Sequence, residues 1–531
     1  MRDSSPERNG KREATSLGAF LTNAGHGGIR GLVFMANTLV LVPLLMASLG
    51  KEQFAILALV TPFLRYGFNG VFDFGAAAGV VRHTSRSFAT SDTEGINSYV
   101  SSTLVLYVVF GAALICLYYL LWPSLMPLLI RTNAEFYGSA RIMFERAVWI
   151  YSLFLLSNPF FALLMGVQKV EATHWIGTAS LVIELSGILL LVPIGLTLAR
   201  LIWVYGANAV FSLMFSGFLA RRYFPPLRLS WRFVSWRSVK EILGYGAQFS
   251  ATTVAAMLNP VFDKLILARY VGLAEVALYE GAARLIELLR RATQLFLLPL
   301  FPIAAARPNT HTESEKHNFY VQAFSANLLL SGGLYLIPAS LAFGIFRVWL
   351  GPDSRLAAIA FLVLSVTVFC QALVGPISMI FAGTGRLKPL MATMLSALLL
   401  NLTVSPALAH YLGFAGVLSG TVTAYGVVSL LFLVWTLGIA EFEIPFRQLF
   451  RLGGLTILAG LLPGIVLTLA LHLGEQQLGW LTLLSAGVIA GGAFVALSLA
   501  QVDHRRMVFR AFHQAREEIG ATWSKRKLSN A

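Results

Sequence analysis

Long apolar stretches, each about the length of a membrane-crossing helix, follow one another along most of the chain. Crossing a bilayer takes roughly 20 mainly apolar residues in helical form. Short polar or charged segments separate the stretches, so each can be counted as one span. The pattern predicts fourteen spans, at residues 28–49, 53–73, 98–122, 143–166, 174–198, 201–222, 243–268, 276–304, 320–345, 356–382, 388–411, 414–437, 453–473 and 479–500.

The composition agrees with a chain that faces lipid over much of its surface. Of its 531 residues, 57% are hydrophobic and only 12% are charged, whereas soluble domains are about 45–50% apolar and about 25% charged. The two cysteines, Cys116 and Cys370, lie inside apolar stretches, so neither a disulfide framework nor a metal-ligand spacing is present. We therefore expect an all-α polytopic membrane protein without a cofactor or a metal.

Basic residues between the spans indicate which side of the membrane each loop occupies. With the N-terminus placed in the cytoplasm, 27 Lys and Arg residues fall on that side and seven on the other. Cytoplasmic loops carry such an excess, so we expect both termini in the cytoplasm. This distribution also accounts for the net charge of +15 without a nucleic-acid partner. The polar N-terminus has no pattern of a cleaved signal peptide.

A repeated pattern predicts that the first twelve spans form two similar halves. The fourth and tenth spans end with the same three residue types, 217 residues apart: Pro159, Gly166 and Lys169, then Pro376, Gly383 and Arg386. Repeats six spans apart have the same orientation, which implies parallel halves around an axis along the membrane normal. The predicted organisation is a cytoplasmic segment (1–27), an N-half (28–222), a basic linker (223–242), a C-half (243–437), two further spans (453–500) and a basic cytoplasmic tail (501–531).

The linker between the halves combines positive charge with aromatic side chains. Six basic residues lie between Arg221 and Lys240, interleaved with Trp231, Phe233 and Trp236. This combination favours a cytoplasmic interfacial helix attracted to anionic lipid. The alternative is a solvated linker whose charge only follows the positive-inside bias.

Ionisable residues within the spans are concentrated on few helices. Each such residue in the bilayer implies a partner or a water-filled cavity. The eighth span has four at i, i+4, i+7 and i+11, which is one helical face, with Arg290 beside it. The first, second and seventh spans also carry polar faces, and these spans are equivalent elements of the two halves, as a central cavity requires. The embedded set comprises Arg30, Arg65, Asp73, Asp263, Lys264, Glu280, Arg284, Glu287, Arg290 and Arg291, with Glu184 alone on the fifth span.

Positive charge exceeds negative charge in this set. An anionic ligand would offset the excess, and guanidinium groups fork onto phosphate. We therefore predict a cationic substrate site formed by Arg30, Arg65, Lys264, Arg284, Arg290 and Arg291. The acids Asp73, Asp263, Glu280, Glu287 and Glu184 are either coupling groups or ion-pair partners. The spacing of Glu280–Arg284 and of Glu287–Arg291 also suits intrahelical ion pairs, and that alternative stays open.

Several segments resemble polysaccharide flippases of the multidrug/oligosaccharidyl-lipid/polysaccharide exporter superfamily. The resemblance covers residues 17–500 or so and is carried by the order and spacing of loose motifs. These motifs are Leu49-Gly50 through Phe54, Asp73-Phe74-Gly75, Gly166-Val167-Gln168-Lys169, Asp263-Lys264-Leu265-Ile266-Leu267, Gly272, Tyr279, Ala283-Arg284-Leu285 and Leu300-Phe301-Pro302. Fourteen spans depart from the superfamily's basic twelve, which leaves a role of residues 453–500 in binding a lipid tail open.

The resemblance implies an alternating-access flippase, not an enzyme, in the bacterial cytoplasmic membrane. Its substrate would be an undecaprenyl-pyrophosphate-linked oligosaccharide for surface polysaccharide biosynthesis. Its partners would be that substrate, membrane lipid, and polysaccharide polymerase or export machinery. In such proteins the first, second, seventh and eighth spans line a cationic cavity, which Arg30, Arg65, Arg284 and Arg291 fit by position.

Two other functions compete with this interpretation. A multidrug cation antiporter of the same fold should have a net acidic, aromatic cavity, whereas Arg and Lys are in excess here. A membrane polymerase or ligase would need a sizeable outer loop with catalytic residues, and the longest predicted outer loop runs only from about Pro123 to Arg141. A structural scaffold would not need aligned charges within its spans.

Overall fold

The computed structural model is built from α-helices, and no strand occurs in the part of the chain that it describes. The described residues are 6–64, 73–130, 134–297, 300, 313–384, 386–438, 453–454, 456–462, 464–466 and 479–500. The principal helices are α1 Pro6–Leu49, α2 Lys51–Leu64, α3 Ala76–Ala89, α4 Thr93–Leu129, α5 Ala134–Gly166, α6 Val170–Leu191, α7 Leu198–Tyr223, α8 Trp236–Tyr270, α9 Leu273–Leu297, α10 Glu313–Ser331, α11 Ile337–Ser340, α12 Ala342–Leu350, α13 Arg355–Leu373, α14 Gly375–Gly383, α15 Leu387–Thr421, α16 Val428–Leu437 and α17 Trp480–Ala500.

Eight helical stretches within the described residues are long and apolar enough to cross a membrane, and shorter apolar helices accompany them. Several predicted spans are interrupted in the structure. The ninth contains a π-helical turn at Gly332–Leu336, and the tenth is divided into α13 and α14 before Pro376. Gly413, with φ of 56°, bends the chain between the eleventh and twelfth. The count of fourteen stays a prediction.

The chain divides into two compact units. The first comprises residues 1–280 and 409–414, and the second comprises 281–408 and 415–531. In the first unit, α3, α4, α5 and α8 share a core that includes Val80, Tyr107, Tyr151 and Ile242. In the second, α17 packs on the π-helical turn after α10, where an added Cβ at Gly333 would lie 3.1 Å from the Phe494 ring.

The Gly–basic end of the repeated pattern has the same local structure in both places, whereas Pro159 lies inside α5 and Pro376 lies in the first turn of α14. Helices α5 and α14 end at Gly166 and Gly383, and the next helices begin directly after Lys169 and Arg386. The backbone N–H of each basic residue donates to the carbonyl five residues earlier, at 2.8 Å in both cases. The equivalence of the two connections supports the predicted repeat, while the arrangement of two parallel halves stays a prediction.

The predicted interfacial helix between the halves does not form over most of the linker. Helix α7 ends at Tyr223, where Pro225 and Pro226 follow, and proline disfavours helix both in its own position and in the residue before it. A single 3₁₀ turn, Trp231–Phe233, interrupts otherwise irregular backbone until α8 begins at Trp236.

The start of α8 is tied to α3 and α4 through Glu241, just before the predicted seventh span. Tyr99 donates to one Glu241 carboxylate oxygen at 2.6 Å, and Arg237 Nε donates to the other at 3.0 Å. His83 stacks on the Tyr99 ring and contacts the Glu241 carbonyl oxygen at 3.3 Å. The hydrogen bond from Tyr99, followed by that from Arg237, lowers the pKa of Glu241 from its ordinary value.

This lowered pKa sets a pH dependence. A carboxyl group with a depressed folded-state pKa contributes its full stability above its unfolded pKa and loses it as the pH falls through the folded pKa. We expect Glu241→Gln to lower the melting temperature at pH 7, and this difference from the unsubstituted protein to shrink below about pH 4.5. Melting curves of both proteins in the same detergent at pH 7 and pH 4 test this. A difference that is equal at both pH values contradicts it.

Candidate functional site

A buried ion pair joins α8 to α9 in the first unit. The ammonium group of Lys264 lies 3.1 Å from Glu280 Oε2, and the two side chains are only 7% and 5% exposed. Lys264 Nζ also donates to the carbonyl oxygen of Ala58, at 2.8 Å. A buried charge is tolerated only when it is paired and hydrogen-bonded, and Lys264 meets both conditions.

The sequence around Ala58 explains why its carbonyl can accept this bond. In an α-helix, the N–H of residue 62 would donate to the carbonyl of residue 58, but position 62 in α2 is proline. Proline has no backbone N–H and so removes that hydrogen bond. Polar side chains from neighbouring helices commonly satisfy such carbonyls in membranes. Pro62 therefore leaves an acceptor on α2 that Lys264 of α8 uses.

Two more buried carboxylates accept hydrogen bonds from tyrosine. Asp263, beside Lys264, accepts from Tyr279 on α9 at 2.7 Å, so α8 and α9 are joined by two adjacent polar contacts. Asp73 is fully buried and accepts from Tyr107 on α4 at 2.9 Å and from the N–H of Gly75 at 3.0 Å. Two of these three contacts therefore join α8 to α9, and the third joins the turn before α3 to α4.

The polar face of α1 contacts α6. The guanidinium group of Arg30 lies against Gly177, where an added Cβ would be 2.7 Å from Arg30 Cζ. Asn37 donates to the carbonyl of Leu181 at 2.9 Å. Glu184, which is buried, lies on the same helix. The structure thus places Arg30 of α1 against α6, the helix that carries Glu184. The sequence did not predict this packing of α1 on α6.

The charged side chains in the second half of α9 are less buried than the Lys264–Glu280 pair. Arg284, Glu287 and Arg290 are partly exposed, and Arg291 is exposed. Arg291 Nε lies 3.0 Å from Glu287 Oε1, with side-chain exposures of 47% and 41%. This is the i, i+4 pair that the spacing allowed, whereas Glu280 has its ion pair with Lys264 of α8. Arg65, the remaining predicted cation, lies outside the described residues.

The residues that sequence reasoning missed are the uncharged partners. Tyr107 and Tyr279 hold two of the buried carboxylates, and the Ala58 carbonyl holds the buried lysine. Pro62 could have indicated the contact between Lys264 and Ala58, because a proline within a helix frees the carbonyl four residues earlier. Tyr279 was one of the motif residues of the family resemblance but had no role assigned to it, and nothing in the pattern distinguished Tyr107 from the other aromatic residues in the spans.

Comparison with known sequences identifies the family. Residues 31–306, just over half of the chain, match the family described as polysaccharide biosynthesis protein. The chain belongs to this family. The matched range contains every embedded charge discussed above except Arg30, which lies one residue before its start. Both the buried Lys264–Glu280 pair and the arginines of α9 thus fall within the matched range.

A curated relative from Shigella flexneri carries the name "Putative O-antigen transporter". It is 22% identical over 263 residues, which are 47% of this chain and 58% of the relative. The chain therefore spans less than two thirds of that relative's length.

Two groups of solved structures share the fold. The lipid II flippase MurJ, in an inward closed conformation, matches 92% of this chain and 100% of its own, with a TM-score of 0.71 and 15% identity. An inward-facing multidrug resistance MATE family transporter of the MOP superfamily matches 76% of this chain and 93% of its own, with a TM-score of 0.65 and 16% identity. At these identities the similarity is one of fold. The chain is an all-α, multi-pass membrane protein, as the sequence predicts.

Proposed function

We propose that this protein is a flippase that moves an anionic, undecaprenyl-pyrophosphate-linked oligosaccharide across the cytoplasmic membrane by alternating access. Its membership of the polysaccharide biosynthesis family supports this role, as do the fold of MurJ and the relative named for O-antigen transport. Synthesis of the bacterium's surface polysaccharide then depends on this protein. Polymerase and export machinery are its proposed partners.

The accessible arginines of α9 are the observation that carries the proposal. A cation within a membrane helix is costly unless it has a partner or reaches water. Lys264 is held in a buried pair, whereas Arg284, Arg290 and Arg291 keep part of their surface exposed. Guanidinium groups bind phosphate oxygens in pairs of hydrogen bonds. We assign these three arginines to the pyrophosphate, together with Arg65 and Arg30, and keep Lys264 as a structural member of the site.

The same fold occurs in multidrug transporters, which makes drug export the second candidate. Cationic drugs would be repelled by three neighbouring arginines. The two candidates therefore differ in the sign of charge that they require. Glu287 serves the flippase as the ion-pair partner of Arg291, and the acids Asp73, Asp263, Glu280 and Glu184 serve it as ion-pair or coupling groups.

The pair Glu287–Arg291 supplies a matched test. Both side chains are partly exposed, so breaking their ion pair should cost no more than about 1 kcal/mol of stability. Arg291→Ala removes the cation. Glu287→Ala breaks the same ion pair but leaves the Arg291 cation in place. In a host whose surface polysaccharide depends on this protein, we expect Arg291→Ala to lower polymer roughly tenfold or more, the size of one lost charged hydrogen bond. Glu287→Ala should leave polymer near normal.

Polymer per cell is measured on gels and divided by the amount of membrane-inserted protein. Normal polymer in Arg291→Ala at normal protein level contradicts the assignment of Arg291. Equal losses in both variants would indicate that the ion pair, not the cation, is needed. Unchanged polymer together with lost drug resistance in either variant would favour the multidrug candidate.

A further inference from the structure

The segment between α7 and α8 carries its positive charge and its indole rings on the outside. All six basic residues from Arg221 to Lys240 are exposed. Trp231 is 80% exposed and Trp236 is 69% exposed. No acidic residue occurs from Phe224 to Lys240. Such exposure of large indole rings beside guanidinium groups is typical of the boundary between water and lipid headgroups.

The other side of this segment is held firmly on the helices beneath it. Asn97 of α4 accepts from the N–H of Arg228 at 2.9 Å and donates to the carbonyl of Pro226 at 3.2 Å. Ser102 accepts from the N–H of Ser235 at 2.9 Å. Leu227 is buried against α4 and α5. These contacts fix the backbone from both ends, so the outward direction of the tryptophans is set by the fold.

We propose that residues 224–240 form a docking site for the headgroups of anionic phospholipids in the leaflet that α8 enters. Helix α8 begins at Trp236, two turns before residue 243, where the predicted seventh span starts. Its first turn therefore lies at the membrane surface, where Trp231 and Trp236 can insert among headgroups. Basic residues there are attracted to anionic lipid, each by about fivefold in affinity. The site is separate from the arginines of α9 and does not depend on the proposed transport function.

Lipid contact is measured by fluorescence quenching of Trp231. The protein is placed in nanodiscs that contain phosphatidylglycerol with brominated acyl chains, and the difference between the unsubstituted protein and Trp231→Phe isolates one indole. We expect this difference signal to be quenched by the brominated lipid and protected from iodide in solution. A signal that iodide quenches and the brominated lipid does not would overturn the proposal, because the segment would then be a solvated linker.

Charge selectivity is measured by native mass spectrometry. The protein is exposed to a mixture of phosphatidylglycerol and phosphatidylcholine, and the molecules of each lipid that stay bound are counted. We expect the double variant Arg228→Gln with Arg232→Gln to lower the preference for phosphatidylglycerol at least tenfold. The matched control is Arg347→Gln with Arg355→Gln, two exposed arginines in predicted outer loops, and it should keep the preference. An equal change in both double variants would show a response to net charge alone and would contradict a site at 224–240.

Discussion

Replacing Lys264 with methionine is expected to destabilise the protein by about 3–5 kcal/mol, the usual cost of removing one partner from a buried ion pair. The substitution leaves Glu280 without the ammonium group that lies 3.1 Å from it, and it leaves the Ala58 carbonyl without the donor at 2.8 Å. Both groups are buried where water cannot replace the lost contact. The melting temperature of the purified protein in detergent or nanodiscs is the measurement.

Two controls separate burial from charge. Arg291→Met breaks the exposed pair with Glu287 and should cost about 1 kcal/mol or less. The double variant Lys264→Met with Glu280→Gln removes both charges and should recover most of the lost stability, because replacing a whole buried pair is often near neutral. If Lys264→Met melts at the same temperature as the unsubstituted protein, the buried pair is not a stabilising contact.

The double variant also decides whether Lys264 belongs to the substrate site. A stable double variant that still supports normal polymer would place Lys264 among the structural residues. A stable double variant without polymer would show that at least one charge of the Lys264–Glu280 pair is needed for transport itself. The sequence groups Lys264 with the arginines because it shows the charge of this residue but not its burial.

Periodicity within one helix was readable from the sequence, whereas partners on different helices were not. The stripe on α9 lies on one continuous helix, and its Glu287–Arg291 spacing is an ion pair in the structure. Glu280 has the same spacing to Arg284, and it also forms an ion pair with Lys264 of α8, which no spacing within α9 predicts. The spacing of residues gives the direction in which a side chain points around the axis of its helix. It carries no information about which other helix packs on that face.

Two elements between the spans differ from the prediction for local reasons. Helix α3 occupies the stretch between the second and third predicted spans, where the sequence predicts a loop and where Arg82 and Arg86 indicate only orientation. Arg82 lies over the ring of Tyr245, 4.3 Å from its centroid, so this basic residue packs on α8. The linker after α7 was expected to be helical, and the adjacent prolines 225 and 226 explain why it is not.

Glycine content alone also could not show where helices touch. The chain has 46 glycines, and only some of them lie where another backbone leaves no room for a side chain. Gly79 on α3 is one, since an added Cβ would be 2.4 Å from the carbonyl oxygen of Ile242 on α8. Gly246 on α8 is another, since its Cβ would be 2.6 Å from the carbonyl oxygen of Gly75. Small residues at such positions let membrane helices approach closely.

Replacing Gly79 with valine is therefore expected to destabilise the protein by about 3 kcal/mol or more, at the upper end of the usual cost of overpacking. The obstructing atoms belong to backbone, which cannot rotate away as a side chain does, so α3 and α8 must separate. Gly79→Ala should have the same effect to a smaller degree. Gly244→Ala is the matched control, because it lies on α8 and a Cβ there meets nothing within 4 Å. Melting temperatures of the three variants give the comparison.

The separation of α3 from α8 should also reach the linker. His83 of α3 and Tyr99 of α4 contact Glu241 in the same turn of α8 as Ile242, and α4 holds the linker through Asn97 and Ser102. We expect backbone amides of residues 227–240 to exchange hydrogen for deuterium faster in Gly79→Ala than in Gly244→Ala. Equal melting temperatures and equal exchange in these two variants would contradict the close packing of α3 on α8. Faster exchange confined to α3 would show that the linker is held by α4 alone.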